Sequence, residues 1–169
     1  YHEMVSKHNQ FYAQVQRKSK VKALFGSGPA GSWGMCYYAD GGEAGPIPFE
    51  IDETGLAIWT IWEHTKFLAD PCKRMDYLKE LYPAIRLAAN TLAECKDENN
   101  NLQCIANEDD NPTLTQGLQG AITVYLGLKS AISAGSILGE DEGVIKGWQR
   151  RVEELRDAIL VNFYDKQAE

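Results

Sequence analysis

The chain has 169 residues and a mass of 18.9 kDa, enough for one domain with a sizeable core and too little for two typical ones. It is 44% hydrophobic and 24% charged, the composition of a folded chain rather than a disordered one. Seventeen Lys and Arg against twenty-four Asp and Glu give −7 with no basic stripe, which argues against nucleic acid or an anionic membrane surface as the main partner.

Taken in chain order, Glu3–Leu24 predicts a helix, polar on most of its surface and basic near its end at Arg17, Lys18, Lys20 and Lys22. Basic residues there complement the helix dipole and read as a solvated face. The chain opens inside this helical pattern without a cap or an initiator Met, which suggests a piece of something longer. Residues 1–10 are polar, unlike a signal peptide, and no apolar run approaches the ~18 residues of a membrane span.

Residues 26–48 hold seven of the fifteen glycines and three of the six prolines, around Trp33, Tyr37 and Tyr38. This predicts a loop beyond the usual length of a structureless connection, and its aromatic content points to function rather than disorder. Trp33 stands out, because a Gly-rich loop is an unusual place for a core tryptophan.

Helices follow. Glu53–Ala69 is dense in Leu56, Ile58, Trp59, Ile61, Trp62 and Phe67, a mostly buried helix stopped by Pro71, with its tryptophans read as core. Arg74–Cys95 is helical with a break expected at Pro83. Thr113–Ala134 carries a 3.6-residue apolar stripe with Gly135 as the expected C-cap. Glu140–Tyr164 repeats the stripe at Trp148, Val152, Leu155, Ile159 and Phe163. The fold class is all-α: antiparallel helical hairpins with an array-like rhythm, of the kind that builds an α/α solenoid or toroid.

The four cysteines form no CxxC pair, so no zinc site is expected. A hairpin around residues 96–103 would bring Cys95 and Cys104 together; the sequence leaves their pairing, and the compartment, open.

Two stretches gather acids. Glu50, Asp52 and Glu53 stand where the Gly-rich loop meets a helix, and Glu108, Asp109 and Asp110 precede another. Helix starts favour acids, and Asp52 would serve as an N-cap. Crowded carboxylates in a dry site would also raise a carboxyl pKa, as a general acid requires. With Trp33 as a stacking face, these clusters suggest a sugar site.

At these residues the chain resembles the glucoamylase-like enzymes of glycoside hydrolase family 15, in the six-hairpin glycosidase group. The likeness runs from about Gly31 to Tyr164 and is densest over Phe49–His64, Leu81–Leu92 and Thr113–Ala131. It implies part of an (α/α)6 toroid that inverts the anomeric centre of α-linked glucosides, takes oligosaccharide or polysaccharide substrates and uses no organic cofactor or metal. Glu108 falls at the family's general acid. The family loop reads Trp-Glu-Glu where this chain has Asn107, Glu108 and Asp109. Trp33 resembles the platform tryptophan, Asp52 and Glu53 the Asp-Glu pair near the barrel mouth, and with Asn107 and Asp109 they are the implied substrate contacts. Six hairpins do not fit in 169 residues. The resemblance therefore implies a partial domain, inactive alone for want of a general base and prone to self-association through unburied apolar faces. A non-catalytic helical carbohydrate-binding or assembly module is the alternative.

Overall fold

The computed structural model describes residues 1–23 and 26–164. Five helices dominate: α1 (His2–Val15), α2 (Ile51–Phe67), α3 (Pro71–Glu94), α4 (Leu118–Leu138) and α5 (Glu142–Phe163). The expected all-α class of antiparallel hairpins is what the chain adopts, with two small ribbons added before α2. β1 (Val21–Ala23) pairs antiparallel with β2 (Gly26–Gly28), placing Val21 opposite Gly28; β3 (Cys36–Tyr37) pairs with β4 (Glu43–Ala44).

The helix ends follow from their caps. Asp70 accepts from the Cys72 and Lys73 amides, and Pro71 opens α3 where its missing N–H costs nothing. Asp141 accepts from the Gly143 and Val144 amides to open α5. Gly139, at φ 73°, closes α4 in the left-handed region. The expected cap, Gly135, lies inside α4 instead, where a Cβ would stand 2.7 Å from the Tyr82 hydroxyl. It is a packing glycine.

Four further expectations are corrected. The first helix ends at Val15, not Leu24, and Leu24 lies outside the described residues. Its last turn gives way because Gln16 turns inward and donates to the Gly31 and Ala84 carbonyls, and because Arg17 is buried rather than solvated. Arg17 pairs with Glu43 at 2.5 Å and donates to Ser32 Oγ and to the Trp33 and Pro48 carbonyls, pinning the Gly-rich segment to the end of α1. Pro83 does not break α3. Pro83 and Lys79, the residue whose carbonyl loses its helical partner, both lie on the exposed face, where the loss of that bond costs least. Among the tryptophans, Trp148 is core at 2% exposure, but Trp59 is 36% exposed, at a cleft between α2 and the start of α1.

Neighbouring contacts give the helix directions. Asp52 meets Gln119, and Gly55 lies against Thr123 and Gly127, so α2 and α4 run parallel. Asn90 meets Trp148 and Lys96 meets Glu154, so α3 and α5 also run parallel. The α2/α3 hairpin is thus repeated, shifted sideways, as α4/α5. Between them lie Ile58, Ile61, Leu81, Ile85, Leu92, Val124, Leu128 and Leu155, all at most 1% exposed. Each such side chain contributes roughly 1.5–3 kcal/mol by leaving water. By length and mean hydropathy (1.4) α4 could cross a membrane, contrary to the expectation from the bare sequence. Here it is the central helix, packed on α2, α3 and α5. Leu118, Ile122, Leu160 and Val161 of this hairpin stay exposed, as does Ile137 at a cleft it lines with Trp62 and Leu78.

The repeat separates two ends. At one, the helices of each hairpin join through the short turns 68–70 and 139–141. At the other, the long connection 95–117 links the hairpins and the Gly-rich segment enters α2. Both acidic stretches lie at this long-loop end.

Candidate functional site

Residues 95–117 are tied down before they reach the acids. Cys95 and Cys104 are disulfide-bonded, across a turn in which Asp97 N donates to the Leu102 carbonyl. Closing a loop of this length contributes about 2–3 kcal/mol on the chain-entropy view. Arg151 of α5 donates to the Asn101 and Leu102 carbonyls and fixes the turn from below. Gln103, fully buried, then donates to the Gly117 carbonyl and to Glu108.

Glu108 is 7% exposed and lies across the start of α4. Its carboxylate accepts from Gly117 N at 2.9 Å, Gly120 N at 3.0 Å and Gln103 Nε2 at 3.2 Å. Two of these donors are first-turn amides that a helix leaves unpaired, so Glu108 caps α4 from outside the helix. The approach requires glycine: a Cβ at Gly120 would stand 2.4 Å from Oε1, and one at Gly117 2.7 Å from Oε2. Every donor is an N–H, so both Glu108 oxygens act as acceptors in this geometry.

The next two residues take left-handed backbone, Asp109 at φ 53° and Asp110 at φ 55°. Such conformations are uncommon outside glycine, and Asp tolerates them better than most residues. The turn points two successive amides at the start of α2. Asp109 N donates to Asp52 Oδ2 at 3.1 Å and Asp110 N to Glu50 Oε1 at 2.7 Å. Gln119 adds a third bond, to Asp52 Oδ2 at 2.8 Å. The Asn107 carbonyl accepts from Ile51 N, and the Asn107 side chain donates to the Asn111 carbonyl. Asn107 also borders a cleft of about 310 Å³ beside Pro46, Ile47, Pro48 and Pro112.

Glu50, not Asp52, occupies the N-cap of α2, and its side chain makes no capping bond. Asp52 sits inside the helix because the 109–110 turn and Gln119 claim its carboxylate. Glu50 and Asp52 are 2% and 3% exposed, and Glu50 Oε2 and Asp52 Oδ1 are buried without a hydrogen-bond partner. Burial pushes the Glu50 carboxyl up, and the nearby Asp110, Asp52 and Asp109 add to the rise. Glu53, one helical step on, is raised to about 8 by burial first, then by Glu50, Asp52 and Asp110. It lines a cleft of about 180 Å³ between α1 and α2, with His8, Asn9, Tyr12 and Thr60. Burial and the Glu53 charge raise the Tyr12 hydroxyl in turn.

The fold therefore gathers Asp52, Glu53, Asn107, Glu108 and Asp109 at one end, and Trp33 does not join them. Its ring is 2% exposed, its Nε1 donates to the Tyr12 carbonyl at 2.8 Å, and Tyr12 packs beside it at 5.7 Å between ring centroids. Trp33 is a core residue, and no open face is left for a sugar to stack on. The reason is the Arg17 anchor, which folds the Gly-rich segment inward. Sequence reasoning overlooked Gln103, Gly117, Gln119 and Gly120; a pair of glycines three apart at a helix start, downstream of a glutamate, was the available signal. Among the described residues, no group of three or more His, Cys, Asp or Glu converges to hold a metal ion.

No protein-family model matches the chain, and no curated protein matches it either.

Proposed function

We propose that this chain is part of an inverting glycoside hydrolase acting on α-linked glucosides, built on an α/α toroid of which α2/α3 and α4/α5 are consecutive hairpins. One observation carries the reading: the carboxyl groups collect at the long-loop end of a sideways-repeated hairpin pair, where burial and the neighbouring acids push Glu53 up to about 8. Glycoside hydrolysis needs a carboxylic acid to protonate the leaving oxygen and a second carboxylate to activate water. In an α/α array the long-loop end is the one free to build a site, because its connections tolerate variation.

The resemblance assigns the proton to Glu108. The hydrogen bonding favours a different division of labour. Glu53, held up at about 8, is the carboxyl that carries a proton near neutral pH, while Glu108 anchors the loop. Asp52 and Asp109 then fix the loop against α2, with Glu50 behind them.

Glucose release from maltose by the natural full-length protein tests this. Loss of turnover in Glu53→Gln, with oligosaccharide binding retained, supports the assignment. Wild-type turnover in that variant moves the proton back to Glu108, where Glu108→Gln should then abolish it. The 169-residue chain alone is expected to be inactive; glucose release by it would overturn the partial-domain reading.

The burial of Trp33 and the capping role of Glu108 favour a second reading, a non-catalytic helical module. Full-length protein that binds oligosaccharides but hydrolyses none would establish it.

A further inference from the structure

The N-terminal half of α1 is held unlike the rest of the fold. Asn9 is the one buried residue of that helix, while Met4 is 72% exposed. Its attachments are polar. Ser6 Oγ meets His64 Nε2 at 3.1 Å, Asn9 donates to the Tyr77 hydroxyl at 2.7 Å, and Gln10 donates to Glu80 at 2.9 Å. Clefts of about 180 and 280 Å³ open between this helix and α2. A segment with few apolar contacts is one that opens locally at low cost. The second half is anchored differently, through Tyr12 against Trp33 and the bonds of Gln16.

Two titratable groups of α2 lie beneath this helix. His64, 6% exposed, is covered at the first turns; Glu53 is covered at His8, Asn9 and Tyr12. We propose that residues 2–9 form a pH-sensitive cover over α2, seated while His64 is neutral and Glu53 is protonated, and lifted when either becomes charged.

The groups facing each one set the direction. His64 meets the His2 ring at 5.4 Å from α1 and Tyr77 at 5.2 Å from α3, with Glu63 adjacent on its own helix and paired to Lys66. Burial, then His2, lowers its affinity for a proton below the ordinary 6.5. The seated form thus binds this proton less well than the lifted form, and seating weakens as pH falls below that value. Glu53 faces His8 and Tyr12 from α1, Glu50 and Asp52 at the start of α2, and Asp110 from the loop. Its proton is held more tightly when covered, so seating weakens as pH rises and the loss is complete above about 8. The cover has an optimum between two opposed titrations. Lifting it wets Glu53 and lowers its hold on the proton, so the cover regulates the acid strength of this group.

The test is amide hydrogen exchange of the whole chain from pH 5 to 9, corrected for intrinsic rates, with His64 titrated by NMR in the same samples. The expected result is a selective loss of protection in residues 2–9 at both ends of the range, at most tenfold per pH unit and levelling off above about pH 8, with α4 unchanged. His64→Gln should remove the acid limb and Glu53→Gln the alkaline one. Ser6→Ala should weaken seating at every pH without moving the midpoints. Flat protection of residues 2–9 while His64 titrates overturns the proposal. So does loss of protection in step with α4, or an acid limb that survives His64→Gln. The wild-type co-titration decides the matter even where a variant fails to fold.

Discussion

The starts of α2 and α4 lie side by side, both are met by carboxyl groups, and they solve the same electrostatic problem in opposite ways. At α4 one carboxylate, Glu108, meets two first-turn amides and the Gln103 amide, with two glycines making room. At α2 three carboxyls crowd together, and Glu50 and Asp52 each leave a buried oxygen unpartnered. The first arrangement is a satisfied cap, and its worth is structural. The second keeps carboxyl groups where their charge is unwelcome, and one of them titrates near neutral pH. The location that made acids look ordinary in both places has an ordinary consequence in one of them.

Glu108→Ala should break the contrast most sharply. It leaves the buried Gly120 amide and the half-buried Gly117 amide without an acceptor, at a cost of about 3 kcal/mol, read as a fall of about 6–12 °C in Tm. Glu108→Gln keeps one acceptor oxygen and should lose less. Gly120→Ala should come next. Its Cβ would overlap Glu108 and expel the cap while leaving the carboxylate in place, for about 2 kcal/mol in chemical denaturation. A loss of under half a kilocalorie in either case would show that the cap carries no load.

Glu53→Gln should act with the opposite sign. The folded state holds the Glu53 proton to about 8, against an ordinary value of 4.5, so wild-type stability declines as pH rises through that interval. Gln imitates the protonated carboxyl and removes the decline. The variant should match wild type at pH 5 and melt about 2–6 °C higher at pH 9. Equal melting temperatures at both pH values would place Glu53 in solvent and dissolve the difference between the two helix starts.

The helices were largely legible in the sequence, because apolar spacing such as Trp148–Val152–Leu155–Ile159 depends on local period and little else. What was illegible depended on partners distant in the chain. Arg17 read as solvated because nothing near it in sequence shows Glu43 or the Pro48 carbonyl. Trp33 read as a sugar platform because the fold of its glycine-rich surroundings is set by that same arginine. Pro83 read as a break because exposure of the face it shares with Lys79 is a tertiary fact. At the site, the acids were visible as a composition, but which would be capped and which left crowded turned on Gln103, Gln119 and the left-handed turn at 109–110.

The contact of Gly55 with α4 has a mechanical consequence. A Cβ at Gly55 would fall 2.3 Å from the Thr123 carbonyl oxygen, and one at Gly127 3.0 Å from the Gly55 Cα. Two helices whose backbones touch this closely are keyed together, since axial sliding would drive the next side chains into the notch. Shear between the hairpins is therefore blocked. Whatever rearrangement the carboxyl end undergoes must come from bending of its loops and of α1 over a rigid keyed base.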